Sequence, residues 1–383
     1  MNSRHMSSLL LVLSLVFCIV DATSSKAEDV FETNAKAAFL LDLETDQVLF
    51  EKNADRQIPP ASMSKLMTAY MVLEQLKDGR LKMDDTLPIS EKAWKKGGSK
   101  MFVEVGKRAR IDDLLRGIII LSGNDACIVV AEGLAGSEAN FARDMTLKGQ
   151  EIGLANSMFK NASGWPDPGH LMTARDLATL ARRLIEDFPE FYEMFSERDF
   201  EYSGIRQPNR NLLLGRVPGA DGLKTGHTEE AGYGLVASAI RDDRRLISVA
   251  VGLDSAAARA LENERLLEYG FRRFRNYALM TRGQAIEHAS VWLGREPTVP
   301  LVIDQDVKIS MSQQARRALK VKLSYETPVP APITAGDQLA NIRIEAPGVA
   351  VQEVPVFAGE SVDKADFVGR VTGALEYLIF GPS

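Results

Sequence analysis

The tetrad Ser62-Met63-Ser64-Lys65 places a hydroxyl three residues ahead of an amine. A serine hydroxyl is a poor nucleophile until a base takes its proton. A lysine withdrawn from water and set near another cation holds its own proton loosely enough to be that base. The tetrad follows Pro59-Pro60, and Leu66, Met67, Tyr70, Met71, Leu73 and Leu76 recur after it at roughly helical spacing. That pattern predicts a helix over residues 61–76, with Ser62 and Lys65 one turn apart on one face. The positive end of such a helix favours an alkoxide. Alone, the tetrad reads more simply as a capping serine beside a solvated lysine. The same spacing recurs from Ser157 to Lys160 and from Ser361 to Lys364.

Two further motifs carry comparable chemistry. Ser122-Gly123-Asn124 follows the apolar run Gly117-Ile118-Ile119-Ile120-Leu121, where a helix is expected to end in a tight turn. A serine and an amide there could bridge a proton path and hold a substrate amide. A polar turn built of the usual turn residues is the plainer alternative. Lys224-Thr225-Gly226, followed by His227, opens an apolar strand-like segment. Gly226 would admit a substrate backbone close to the strand, with Lys224 and Thr225 binding an anion. An edge strand guarded by a lysine is the alternative.

These motifs need elements to position them. A hairpin is expected over residues 37–52, turning at Glu44-Thr45-Asp46. Helical patterns follow over 112–121 and 173–185, then strands over 233–240 and 246–251 joined across Asp242-Asp243, then a charged amphipathic helix over 257–274. Strands, many helices, then strands and a closing helix make an α+β domain with an antiparallel sheet. Residues 284–358 are rich in Val, Ile, Pro and Gly with short alternating runs, and read as a small all-β domain without a catalytic cluster. Over 363–380, Phe367, Val368, Val371, Leu375, Leu378 and Ile379 line one face of an amphipathic helix. That helix either packs on the β domain or lies in a membrane interface.

The amino terminus reads as a leader. Arg4 and His5 precede an apolar run from Leu9 to Val20, too short to span a bilayer comfortably, and Ser25-Lys26-Ala27 fits a cleavage site before Glu28. Cys18 follows Phe17, a poor setting for a lipoprotein cysteine, so only Cys127 remains after processing and no internal disulfide is possible. The expected plan is a signal peptide over 1–27, a catalytic domain over 28–280, an all-β domain over 281–360 and the terminal helix over 361–383. The 383 residues suit two or three domains. With 46 Lys and Arg against 52 Asp and Glu, the net charge of −6 disfavours nucleic acid as a partner. Four His and no paired-Cys or H-E-x-x-H pattern give a metal little to bind, and no cofactor is expected.

Each motif alone is ambiguous; the three in this order match the set shared by class A β-lactamases and penicillin-binding proteins, with Gly123 where β-lactamases usually have Asp. The chain resembles the low-molecular-mass penicillin-binding proteins that act as serine-type D-alanyl-D-alanine carboxypeptidases. The resemblance extends through Pro60-Ala61-Ser62-Met63-Ser64-Lys65-Leu66-Met67-Thr68, Leu121-Ser122-Gly123-Asn124-Asp125-Ala126-Cys127 and Asp221-Gly222-Leu223-Lys224-Thr225-Gly226-His227-Thr228, and covers about residues 35–275. It implies a β-lactamase/transpeptidase-like sheet flanked by helices, a β domain holding that body off the membrane and a terminal anchoring helix. It implies that Ser62 attacks the carbonyl between the terminal D-alanines of a peptidoglycan stem peptide, with Lys65 as base. Ser122 and Lys224 would relay a proton to the leaving D-alanine, and Asn124 would support Lys65 and the substrate amide. The backbone N–H groups of Ser62 and His227 would form the oxyanion hole. Thr225, Lys224 and Arg210 would bind the terminal carboxylate, with Gly226 beside it. β-Lactams would acylate Ser62, and the protein would act at the periplasmic face of the membrane or in the cell envelope.

Three rivals stay in view. A β-lactamase would need a deacylating Glu, for which Glu151 is a loose candidate. A DD-endopeptidase would cleave crosslinks with the same machinery. A non-catalytic wall scaffold would not need all the motif residues that are intact here. A Ser/His/Asp triad through His227 is disfavoured, because no G-x-S-x-G surrounds any serine.

Overall fold

The computed structural model describes residues 31–369 and 371. The expected leader over 1–27 and most of the terminal helix lie outside the described residues. Five strands form an antiparallel sheet: β1 (Ala37–Asp42), β2 (Gln47–Lys52), β3 (Ala220–Thr228), β4 (Gly232–Arg241) and β5 (Arg244–Leu253), in the order β2-β1-β5-β4-β3. Between β2 and β3 come helices α1 (Lys65–Lys77), α2 (Ile111–Ile119), α3 (Asn124–Ala135), α4 (Glu138–Glu151) and α5 (Ala174–Asp187); α6 (Ala256–Arg273) follows β5. The β4–β5 hairpin turns on Asp242 and Asp243 with φ of 49° and 62°. Two consecutive left-handed residues make the turn whose twist suits a hairpin, and Asp tolerates it better than a branched residue would.

Both faces of the sheet are covered. Phe39, Leu41, Ile247 and Val249 face the helical core, while Leu40 and Leu246 meet α6 where Gly270 lets it approach. This is why all six residues of β1 are buried instead of alternating. Ser248 lies on the α6 face and donates to Asn263 Oδ1. Helices α1 and α3 are buried on nearly all sides: every residue from Lys65 to Tyr70 and from Asn124 to Ala131 is enclosed. A helix apolar all round belongs in an interior. Lys65 and Asn124 are therefore the first residues of two interior helices.

A second core, sharing no residue with the first, forms beyond α6. It is built from β6 (Phe274–Met280), β7 (Ala285–Trp292), β8 (Thr298–Val302), β9 (Val307–Ser312), β10 (Lys320–Tyr325), β11 (Val329–Pro330), β12 (Gln338–Ala346) and β13 (Val349–Ala358). The sheet order is β10-β12-β13-β8-β7-β11, with β6 and β9 paired apart. The region carries one short helix, Gln313–Arg317, capped by the Ser312 side chain. The alternating run predicted a strand where β10 stands, whereas that helix has too short a period to show in the pattern. Residues 367–369 and 371 are helical, and Phe367, Val368 and Val371 are exposed.

Arg244 joins the two cores. Its Nε donates to Asp42 at 2.7 Å, Nη1 to the carbonyls of Gly270 and Phe274, and Nη2 to Ser310 Oγ at 3.1 Å on β9. Asp42 is fully enclosed, so losing its cation strands a buried charge. Arg244→Ala is expected to cost about 3 kcal/mol in equilibrium denaturation; a loss under about 0.5 kcal/mol would show that water screens the pair.

Candidate active site

The nucleophile segment departs from the predicted regular helix. Ala61–Ser64 form a 3₁₀ turn that runs into α1, with Ala61 at a φ of 49°. In a 3₁₀ turn residues i and i+3 eclipse. Ser62 Oγ accordingly sits 2.8 Å from Lys65 Nζ. Lys65 has two further acceptors, Asn124 Oδ1 at 2.8 Å and the Ser163 carbonyl at 2.5 Å. An ammonium has three donors and no acceptor, whereas a neutral amine keeps two N–H groups and gains a lone pair. With Asn124 and Ser163 taking two N–H groups, the neutral amine turns its lone pair to the Ser62 hydroxyl. Lys65 is fully buried, and burial above all, with the Arg210 and Lys96 cations adding, lowers its pKa to about 8. The solvated-lysine alternative fails on that burial.

The Ser163 carbonyl is delivered by a loop that the sequence did not mark. Asn161 Oδ1 accepts from the backbone N–H groups of Ser163 and Trp165. Gly164, at a φ of 74°, presses on the tetrad so closely that a Cβ would stand 1.9 Å from the Ala61 carbonyl oxygen. Only glycine fits there.

Ser122 adopts a φ of 59° between α2 and α3 and is buried. Its Oγ has no partner among the described residues. Asn124 Nδ2 donates to the Gly97 carbonyl at 2.9 Å, which fixes the amide so that its oxygen faces Lys65. Asp125 was missed by sequence reasoning. Its enclosed carboxylate accepts backbone N–H bonds from Met101, Phe102, Val103 and Ala126, tying the irregular segment 101–103 to the Ser122 turn. The available signal was a charge directly after Asn124 at the head of an apolar helix.

Lys224, Thr225 and Gly226 lie on β3, the sheet edge. Lys224 is only 3% exposed, so it is not the solvated guard of an edge strand. Burial chiefly, then the Lys65, Arg210 and Arg259 cations, hold its pKa well below the usual lysine range. A Cβ on Gly226 would fall 2.9 Å from the Pro60 carbonyl oxygen and 3.3 Å from Ala61 Cβ. That close approach draws the backbone of β3 up to the tetrad, bringing the Ser62 and His227 segments together. The His227 ring is exposed and stacks on Tyr233 with centroids 3.8 Å apart.

Ser62, Ser122, Thr225, His227 and Arg210 line one cleft of about 470 Å³. Arg210 donates to Ser99 Oγ at the rim. Arg259, on the first turn of α6, completes the cleft and was not foreseen, because its helix read as a packing helix. It is 6% exposed and donates to the Gly226 and Arg210 carbonyls. Burial is the main cause lowering its pKa to about 10. No carboxylate is among the residues lining the cleft. The site is built for an anion that it does not itself supply.

The remaining candidates fall elsewhere. Glu151 ends α4, exposed and paired with Lys148, outside the cleft lining. Ser157 Oγ donates to Asp176, and Ser361 Oγ accepts from the Ala335 N–H. Cys127 is enclosed in α3, and burial pushes its thiol up to about 12, far from a reactive thiolate.

The chain is similar to known proteins over most of its length. Residues 22–255 match the family model of D-alanyl-D-alanine carboxypeptidases, and residues 274–364 match the C-terminal domain of penicillin-binding protein 5. The D-alanyl-D-alanine carboxypeptidase DacC of Escherichia coli is 36% identical over 360 residues, covering 91% of this chain and 90% of that protein. Penicillin binding protein 5 from Haemophilus influenzae superposes with a TM-score of 0.77 at 33% identity, covering 88% of this chain and 99% of that one. A penicillin-binding protein of Listeria monocytogenes in its ampicillin-bound form gives a TM-score of 0.59 at 32% identity over 64% of this chain and all of that one. The chain belongs to the D-alanyl-D-alanine carboxypeptidase family of penicillin-binding proteins.

Proposed function

We propose that this protein is a serine-type D-Ala-D-Ala carboxypeptidase that trims peptidoglycan stem peptides through an acyl-enzyme on Ser62. The observation that carries the reading is the fully buried Lys65 amine 2.8 Å from Ser62 Oγ, at the floor of a cleft walled by cations. Neutral Lys65 takes the Ser62 proton as Oγ bonds to the penultimate D-alanine carbonyl carbon. The resulting oxyanion is received by the Ser62 and His227 N–H groups. Collapse breaks the amide bond. Ser122 and Lys224 pass a proton to the departing D-alanine nitrogen, and the unpaired Ser122 hydroxyl is free to do so. Thr225, Lys224, Arg210 and Arg259 hold the terminal carboxylate, and Asn124 holds the amide on the acyl side. Water then attacks the ester and releases the shortened peptide. A β-lactam presents a carboxylate and a strained amide in the same relation and acylates Ser62. Its relative's ampicillin complex supports this. The position of Glu151 speaks against β-lactamase deacylation, and nothing in the cleft favours an endopeptidase or a scaffold over the carboxypeptidase.

We further propose that the protein is exported and works at the outer face of the cytoplasmic membrane. The amino-terminal pattern supports export. The exposed Phe367, Val368 and Val371 support docking of the terminal segment in a membrane interface.

Three outcomes follow. Ser62→Ala should abolish both D-alanine release from a D-Ala-D-Ala peptide and labelling by a fluorescent penicillin; release that survives would remove the mechanism. Because the base is the neutral amine, kcat/KM should climb as pH rises through about 8. Lys65→Arg, charged at every accessible pH, should cut acylation about a thousandfold and lose that rise. Removing residues 363–383 should move the protein from vesicles to the soluble fraction while leaving D-alanine release intact; unchanged partitioning would refute the anchor.

A further inference from the structure

Tyr233 lines the cleft, and no step described above uses it. It is the second residue of β4 and stands directly across from His227 on β3. Successive side chains on a strand point to opposite faces. The facing pair Gly226 and Gly234 turns to the tetrad, where a Cβ on either would press on Met63. The pair His227 and Tyr233 turns the other way. There the His227 imidazole stacks on the Tyr233 ring, with centroids 3.8 Å apart and planes 28° apart, and fixes it. The Arg259 guanidinium lies over the same ring, 5.7 Å from its centroid. Among the described residues its other partners are two backbone carbonyls, those of Gly226 at 3.3 Å and Arg210 at 3.4 Å. Both are long for hydrogen bonds. The guanidinium is nearly enclosed, the Arg210 cation presses on it, and the cleft lining offers no carboxylate to balance it. The negative face of the Tyr233 ring is what its surroundings offer instead.

We propose that Tyr233 is a positioning residue for the carboxylate clamp: its ring, braced by His227, holds Arg259 in the cleft and so sets how strongly the site prefers a substrate ending in a free carboxylate. Tyr233 acts through Arg259 and touches no reacting atom. The contact is with the ring face, so the hydroxyl is dispensable. An arginine side chain has many rotamers, and ordering one at the moment of binding costs affinity. A guanidinium already held against the ring receives the carboxylate without that cost. This rests on the carboxypeptidase reading and adds to it the group that keeps the clamp in place.

The test uses purified protein and two peptides, acetyl-Lys-D-Ala-D-Ala and the same peptide with its terminus amidated. The scissile bond is the same in both, and only the first carries the carboxylate. Formation of the shared product, acetyl-Lys-D-Ala, gives kcat/KM for each, and thermal unfolding reports that each variant is folded. The wild type should favour the acid over the amide. Tyr233→Leu should shrink that preference about fivefold, the scale of one cation–π contact. Tyr233→Phe keeps the ring and should keep the preference. On the acid peptide alone, Tyr233→Leu should cost nothing further in an Arg259→Gln background, because the ring acts through the guanidinium. Equal losses on acid and amide in Tyr233→Leu would make the residue a structural prop and overturn the proposal, and so would an unchanged preference. A full additional loss in the Arg259→Gln background would overturn it on the acid peptide alone. Tyr233→Phe falling as far as Tyr233→Leu would also overturn it, by moving the effect to the hydroxyl. Cleavage of neither peptide by the wild type would instead overturn the carboxypeptidase reading, and this inference with it.

Discussion

An amine kept out of water is the constraint on which the molecule is organised. A charged lysine is costly to bury, and the cost falls if the proton leaves. Lys65 is fully enclosed because α1 is an interior helix, and it is held by two fixed acceptors besides Ser62. Those acceptors come from different places in the chain, an amide at the head of α3 and a carbonyl in the 161–165 loop. Each is fixed in turn: the amide through Gly97, the loop through Asn161 and the Gly164 contact with the tetrad. The sheet is tied to the same point by Gly226, which cannot carry a side chain without striking Pro60 or Met63.

The character of the cleft follows from charge. Arg210 and Arg259 line it, buried Lys224 feels both, and no acid is in the lining. Their mutual repulsion and burial weaken their hold on protons, and an incoming carboxylate relieves both. The acids nearest the 161–165 loop, Asp167 and Glu230, bound a separate water-sized recess and not this cleft.

What could be read in the sequence was what local chemistry encodes. Ser62 with Lys65, Ser122 with Asn124, and Lys224 to Gly226 announce themselves because each pair is set by one turn or one strand. The hairpin at Asp242-Asp243 and the flanking strands were legible from turn residues and apolar runs. Asp125 and Arg259 were not, because a charge on a helix gives no sign of which neighbours will close over it. The Ser163 carbonyl was beyond reach for a simpler reason: a backbone acceptor has no residue type. The 3₁₀ turn at Ala61–Ser64 was read as regular helix, since the apolar spacing that marks α1 begins only after it. The short helix at Gln313–Arg317 escaped for lack of length.

The open edge of β3 has a consequence for the protein in solution. An unpaired strand edge invites a second copy to pair with it, and natural proteins usually blunt such edges. This one is partly engaged from within: the Gly222 carbonyl accepts from Asn211 Nδ2 at 2.8 Å and the Gly226 carbonyl from Arg259. Side chains of the same chain thus blunt the edge, while the cleft beside it, lined by Arg210 and Arg259, stays accessible to a small carboxylate.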